Sequence, residues 1–92
     1  MGNDFGLVVF DSTHAAIQTQ TLLEQAQLKN RMLTTPGNLS AGCGLSIYFD
    51  LADLAQITRL LQQQQVSYRA LYQVHKDGLH SQYQLIKNEV RG

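Results

Sequence analysis

Gly6-Leu7-Val8-Val9-Phe10-Asp11-Ser12-Thr13 contains a strand and the start of a helix within eight residues. From Gly6 to Phe10 the chain is continuously apolar and rich in β-formers, the pattern of a strand buried on both faces rather than on one. Such a strand belongs at the centre of a sheet. Asp11, Ser12 and Thr13 then carry short side-chain oxygens suited to capping a helix N-terminus. Beyond them Ala15, Ala16, Thr19, Leu22, Leu23 and Ala26 recur at a spacing of three and four, which predicts a helix over about residues 13–27.

The same alternation of patterns continues along the chain. Arg31-Met32-Leu33-Thr34 is a short second strand, followed by a stretch of turn formers from Thr35 to Gly42. Leu45 to Phe49 returns to a β pattern. Asp50 is placed to cap a second helix, whose face is formed by Leu51, Leu54, Ile57, Thr58 and Leu61. Four consecutive glutamines, Gln62 to Gln65, prolong and end that helix on its solvated side. A fourth strand is expected over Val66–Val74, with Val66, Tyr68, Ala70, Tyr72 and Val74 on one face and Ser67, Arg69, Leu71 and Gln73 on the other.

The order β-α-β-β-α-β predicts an α+β, ferredoxin-like two-layer sandwich: an antiparallel sheet with both helices on one face. Ninety-two residues fit a single domain, with a core over about 6–75 and a C-terminal extension over 76–92. His75-Lys76-Asp77-Gly78 has the composition of a hairpin turn. Leu79 to Lys87 fits an edge strand, while Leu79, Tyr83, Ile86 and Val90 fit a helix face equally well.

Composition narrows the function classes. Seven basic residues balance seven acidic ones and are scattered along the chain. A nucleic-acid surface needs dense positive charge to displace counterions, and an anionic membrane surface needs much the same, so neither partner is expected. No apolar run approaches the roughly 20 residues of a membrane span, and no signal-peptide pattern opens the chain. A cytoplasmic protein is expected.

Cys43 is the single cysteine, in Leu39-Ser40-Ala41-Gly42-Cys43-Gly44-Leu45. One thiol cannot close an intramolecular disulfide, nor supply the several ligands of a structural metal site, and His75 with His80 also falls short of such a set. Neither a metal nor a cofactor is expected. What is left for Cys43 is packing, nucleophilic chemistry or carriage of a sulfur group. In the expected topology its loop lies beside the first helix's N-terminus, whose free N–H groups and partial positive charge stabilise an anion and lower a thiol pKa. Gly42 and Gly44 leave room for a bulky sulfur donor to approach. His14, in the first turn of the helix, is a candidate proton partner.

Phe10-Asp11-Ser12-Thr13-His14-Ala15-Ala16, followed by Pro36-Gly37-Asn38-Leu39-Ser40-Ala41-Gly42-Cys43-Gly44-Leu45, resembles the DUF3343 family of selenium/sulfur carrier-like proteins, over roughly residues 6–75. The resemblance implies a carrier role for Cys43. It puts Ser12, Thr13 and His14 at the matching helix start, and Pro36, Ser40 and Gly44 in the matching loop. Where the family often has arginine after the loop proline, this chain has Gly37, which brings no cationic side chain.

Three readings follow. In the first, Cys43 thiolate accepts sulfur or selenium as a persulfide or perselenide and passes it on, with Ser12, Thr13, Ser40, Gly42 and Gly44 around the cargo. That reading implies a donor protein and an acceptor protein, and an accessory role more than that of an independent enzyme. In the second, the chain is an interaction or regulatory module with a structural cysteine, its sheet edge or tail recruiting a partner or a second copy to form a homodimer. In the third, an exposed thiol serves as a redox sensor.

Overall fold

The computed structural model describes residues 4–39 and 42–91. Along the chain run β1 (Asp4–Val9), α1 (Thr13–Gln25), β2 (Asn30–Thr34), a 3-10 turn (Gly37–Leu39), β3 (Leu45–Phe49), a second 3-10 turn (Leu51–Asp53), α2 (Leu54–Gln63), β4 (Ala70–Asp77) and β5 (His80–Lys87). The strands form one sheet in the order β2-β3-β1-β4-β5, each neighbouring pair antiparallel. The class is α+β, with five strands and two helices among the described residues.

The apolar run is the central strand, as its pattern implies. β1 pairs with β3 on one side and β4 on the other, and Leu7, Val8 and Val9 are fully or almost fully buried. Side chains alternate across a strand, so the two faces of β1 enter different clusters. Val8 joins Ile47 and Phe49 of β3, Leu71 of β4, Ala15, Ala16 and Leu23 of α1, and Ile57 and Leu61 of α2. Both helices therefore cover the same face. Leu7 and Val9 join Val74 in a second cluster, flanked by Phe5, Leu39, Tyr48, Tyr72 and Tyr83. No helix lies over that face among the described residues; aromatic side chains cover it instead, with Phe5–Tyr48 and Tyr72–Tyr83 meeting edge to face at centroid distances of 4.5 and 6.3 Å. Removing a Leu or Val of β1 from water contributes about 1.5–3 kcal/mol each.

Two expectations need correcting. β4 begins at Ala70 rather than Val66, and the single apolar face predicted for Val66–Val74 does not exist. Val66 and Tyr68 pack on the helix side, Val74 and Tyr72 on the opposite side, and Leu71, expected on a mostly polar face, is fully buried under the helices. The cause lies in the irregular approach to the strand. Tyr68 bridges to Val90, while the Arg69 N–H donates to the Val9 carbonyl at 2.7 Å, so the alternation restarts at Ala70. Asp50 caps as expected, accepting from the Ala52 N–H at 3.1 Å, but it caps the 3-10 turn that leads into α2 rather than α2 itself. The tail is a strand. β5 pairs with β4 through a turn at Gly78, whose φ of 63° is open to glycine at little cost.

A close approach ties the central strands together. Gly6 pairs with Phe49, and the Phe49 ring occupies the space where a side chain at Gly6 would go. A Cβ there would lie 2.7 Å from one ring carbon and closer still to two others. Gly6→Ala is accordingly expected to lower stability by about 1–3 kcal/mol, the usual range for overpacking a tight core. Urea unfolding checks this, and an unchanged midpoint would mean that the ring swings aside freely.

Candidate functional site

The site is built where β1 ends and β3 begins. The Phe10 N–H donates to the Leu45 carbonyl at 3.1 Å, which extends the β1–β3 ladder by one step. The Phe10 carbonyl in turn accepts from the Cys43 thiol, with sulfur and oxygen 3.5 Å apart. The backbone of one residue, Phe10, thus holds both Leu45 and Cys43. The thiol is half-buried, packed against the helix-side core.

The loop around Cys43 is pinned on both sides. The Thr35 N–H donates to the Gly44 carbonyl at 2.8 Å, and the buried hydroxyls of Thr35 and Ser46 are hydrogen-bonded at 2.6 Å. Gly42 and Gly44 both sit in the left-handed region, at φ of 55° and 73°. They differ in surroundings. A Cβ at Gly42 would lie 2.6 Å from Asp11 Oδ1 and 2.9 Å from its carbonyl oxygen, whereas a Cβ at Gly44 would meet nothing within 4 Å. The Gly42 backbone therefore lies directly on Asp11, and the loop does reach the start of α1.

Ser12 is the N-cap of that helix. Its Oγ accepts from the Ala15 N–H at 3.3 Å, and its carbonyl accepts from the Ala16 N–H at 3.1 Å. Thr13 and His14 follow as the first two helical residues, both exposed. Their backbone N–H groups have no acceptor among the described residues, as expected in the first turn of a helix. His14 makes no hydrogen bond or ion pair with Cys43 among the described residues. The structure thus brings Cys43, Gly42 and Gly44 against the Phe10-Asp11-Ser12 turn, with Thr13 and His14 one step further along. Ser40 lies outside the described residues.

Asp11 is not a cap, contrary to the expectation from its type. Its carboxylate faces Arg69, with Oδ2 and Nη1 3.8 Å apart, and Arg69 also lies 3.7 Å from Glu89. Glu89 is held below the usual carboxylate range, first by its hydrogen bond from Arg91 and then by the charge of Arg91; desolvation opposes this, and the charge of Arg69 adds the smallest contribution. These groups are largely solvated, and such pairs contribute little to stability. Their consequence is positional. They border a cleft of about 430 Å³ beside Ser12 that Cys43 does not line. Arg69 was missed because the expected strand register placed it on a solvated face. Its long-range partner Asp11 leaves no trace in local sequence.

A half-buried thiol between two left-handed glycines, hydrogen-bonded to the end of a central strand and set beside a helix start, defines a small α+β domain with one sulfur centre. The chain matches, over residues 5–73, the family described as "Putative Se/S carrier protein-like", and it belongs to that family. Searches of curated proteins and of solved structures return no match. Among the described residues no helix is long and apolar enough to cross a membrane, and no group of three or more His, Cys, Asp or Glu side chains could hold a metal ion.

The two glycines give a direct comparison. Gly44→Ala is expected to cost about 1–2 kcal/mol, the usual penalty for a left-handed alanine. Gly42→Ala bears that penalty and a collision with the Asp11 backbone, roughly 1–3 kcal/mol more. Unfolding midpoints for the two variants test the ranking, and equal losses would place Gly42 away from Asp11.

Proposed function

We propose that this chain carries sulfur or selenium on Cys43. The observation that supports this reading most is the placement of the one thiol in a glycine-flanked loop against the start of α1, in a chain that belongs to a selenium/sulfur carrier-like family. Loading is an exchange. The Cys43 thiolate attacks the terminal sulfur of a donor's persulfide, the new S–S bond forms as the donor's breaks, and the electron pair leaves with the donor's thiolate. Delivery runs the same chemistry again: an acceptor nucleophile takes the terminal sulfur, and Cys43 leaves as thiolate. A perselenide follows the same balance with selenium as the terminal atom.

In its resting geometry Cys43 donates its S–H to a carbonyl, and an ionised sulfur would be repelled by that oxygen. The reactive state therefore has the sulfur turned away from Phe10, toward the unpaired N–H groups of Thr13 and His14 and the hydroxyl proton of Ser12, which its capping bond leaves free. Gly42 and Gly44 allow the donor close, and His14 exchanges the proton.

We read the first four strands and the two helices as a ferredoxin-like split-βαβ core to which β5 adds an edge. A free carrier thiol calls for a reducing compartment, which favours the cytoplasm. Incubation with a low-molecular-weight persulfide is expected to add one sulfur atom to the intact mass, reversibly by dithiothreitol, and to add none to Cys43→Ser. If both proteins gain the same mass, or neither does, the carrier reading fails.

A sheet-edge homodimer accompanies this reading. β5 pairs only with β4 among the described residues, and it carries the exposed Leu85 and Ile86, a template for antiparallel pairing with a second copy. Sedimentation is expected to show a dimer that Ile86→Lys dissociates; a monomeric wild type removes the proposal.

A further inference from the structure

At the opposite end of β1 from Cys43, five residues and so about 17 Å away along the strand, the sheet closes around a cavity of about 260 Å³. Phe5 and Tyr48 line it, meeting edge to face at 83°. Three cations share the lining: Lys29, Arg31 and Lys76. The topology explains the convergence. Arg31 is the cross-strand partner of Tyr48, and Lys76 lies two residues beyond Val74, the partner of Phe5, on the same face of β4. Lys29 enters from the turn before β2. Segments far apart in sequence thus place three of the chain's seven basic residues around one aromatic pair.

The charge there is uncompensated. None of the three cations pairs with a carboxylate among the described residues, whereas Arg69 and Arg91 both do. Asp50 is the one acid in the lining, and its Oδ1 accepts the Ala52 N–H at 3.1 Å. Asp4, next to Phe5, has its side chain on the other face, where it pairs with His75. Tyr48 keeps its phenolic proton, since burial first and the neighbouring Tyr83 second push its pKa up. It therefore removes none of the positive charge.

We propose that this cavity binds a small aryl phosphate, its ring against Phe5 and Tyr48 and its phosphate among Lys29, Arg31 and Lys76. The half-buried aromatic pair offers stacking surface for one more ring. Three cations against one engaged carboxylate favour a dianion over a monoanion, hence phosphate over carboxylate. The volume lies below the usual range of roughly 300–1,000 Å³ for ligand pockets, which limits the ligand to about one ring and its charged group. This site is separate from the sulfur centre and stands or falls without it.

The test is an amide-shift titration of the whole chain with phenyl phosphate, inorganic phosphate, phenol and benzoate. Phenyl phosphate is expected to shift the amides of Phe5, Arg31, Tyr48 and Lys76 and to bind about tenfold more tightly than inorganic phosphate or phenol, the upper worth of one aromatic pair. Benzoate is expected to bind more weakly than phenyl phosphate. The exposed Arg31→Gln/Lys76→Gln double variant should retain the spectrum of the folded chain and lose about tenfold in phenyl phosphate affinity, two surface charge contacts of about 0.7 kcal/mol each. Inorganic phosphate binding as tightly as phenyl phosphate, benzoate binding as tightly or more so, shifts elsewhere on the chain, or an unchanged affinity in the double variant would each overturn the proposal.

Discussion

The burial of β1 on both faces organises the rest of this structure. A strand with Leu7 and Val9 on one side and Val8 on the other must have a layer above it and a layer below it, and hydrogen-bonding neighbours on both edges. The helices supply one layer. The second is made by side chains of the sheet itself: Tyr48, Tyr72, Tyr83 and Phe5 lie over Leu7, Val9 and Val74. That choice distinguishes the two faces chemically, because aromatic side chains cover apolar neighbours and still present polar tips and ring surface to solvent.

Both candidate sites lie at the ends of β1. At its C-terminal end the strand leaves the sheet just before the cap of α1, so the last ladder peptide, Phe10, and the first free N–H groups of the helix fall within a few residues. Any side chain held at Phe10 is therefore next to a helix N-terminus. Cys43 is placed there by three constraints: the Thr35–Gly44 backbone hydrogen bond, the Thr35–Ser46 hydroxyl pair and the contact of Gly42 with Asp11. At the N-terminal end, Phe5 meets Tyr48 across the β1–β3 pair, and the positive side chains gather around them.

Legibility in the sequence followed the range of the interactions involved. β1, α1 and β3 were readable because periodicity and capping are local, and the identity of their residues carries the signal. The start of β4 was not, because the bridge from Tyr68 to Val90 and the bond from Arg69 to Val9 are made with segments far along the chain, and these reset an alternation that looked continuous. The tail fitted helix and strand equally until its pairing with β4 decided it. The placement of Cys43 beside α1 followed from topology alone, but its bond to the Phe10 carbonyl did not, since no local pattern specifies a side chain's acceptor. Arg69 and the aromatic–cation cavity were invisible for the same reason: their members are scattered from Phe5 to Lys76.

The bond between Cys43 and Phe10 also constrains how a carrier of this design can work. The Cys43 thiol is held by donating its S–H to the Phe10 carbonyl. A persulfide at the same position has no S–H on the inner sulfur and cannot make the bond. In the proposed carrier, loading would therefore release the sulfur from the Phe10 carbonyl toward the helix N-terminus, where backbone N–H groups favour negative charge. The glycines on either side, already left-handed, let the loop follow without new backbone strain. In the proposed carrier, a sulfur that is half-buried and hydrogen-bonded when empty and displaced when loaded would be offered to a partner chiefly in the state that has something to deliver.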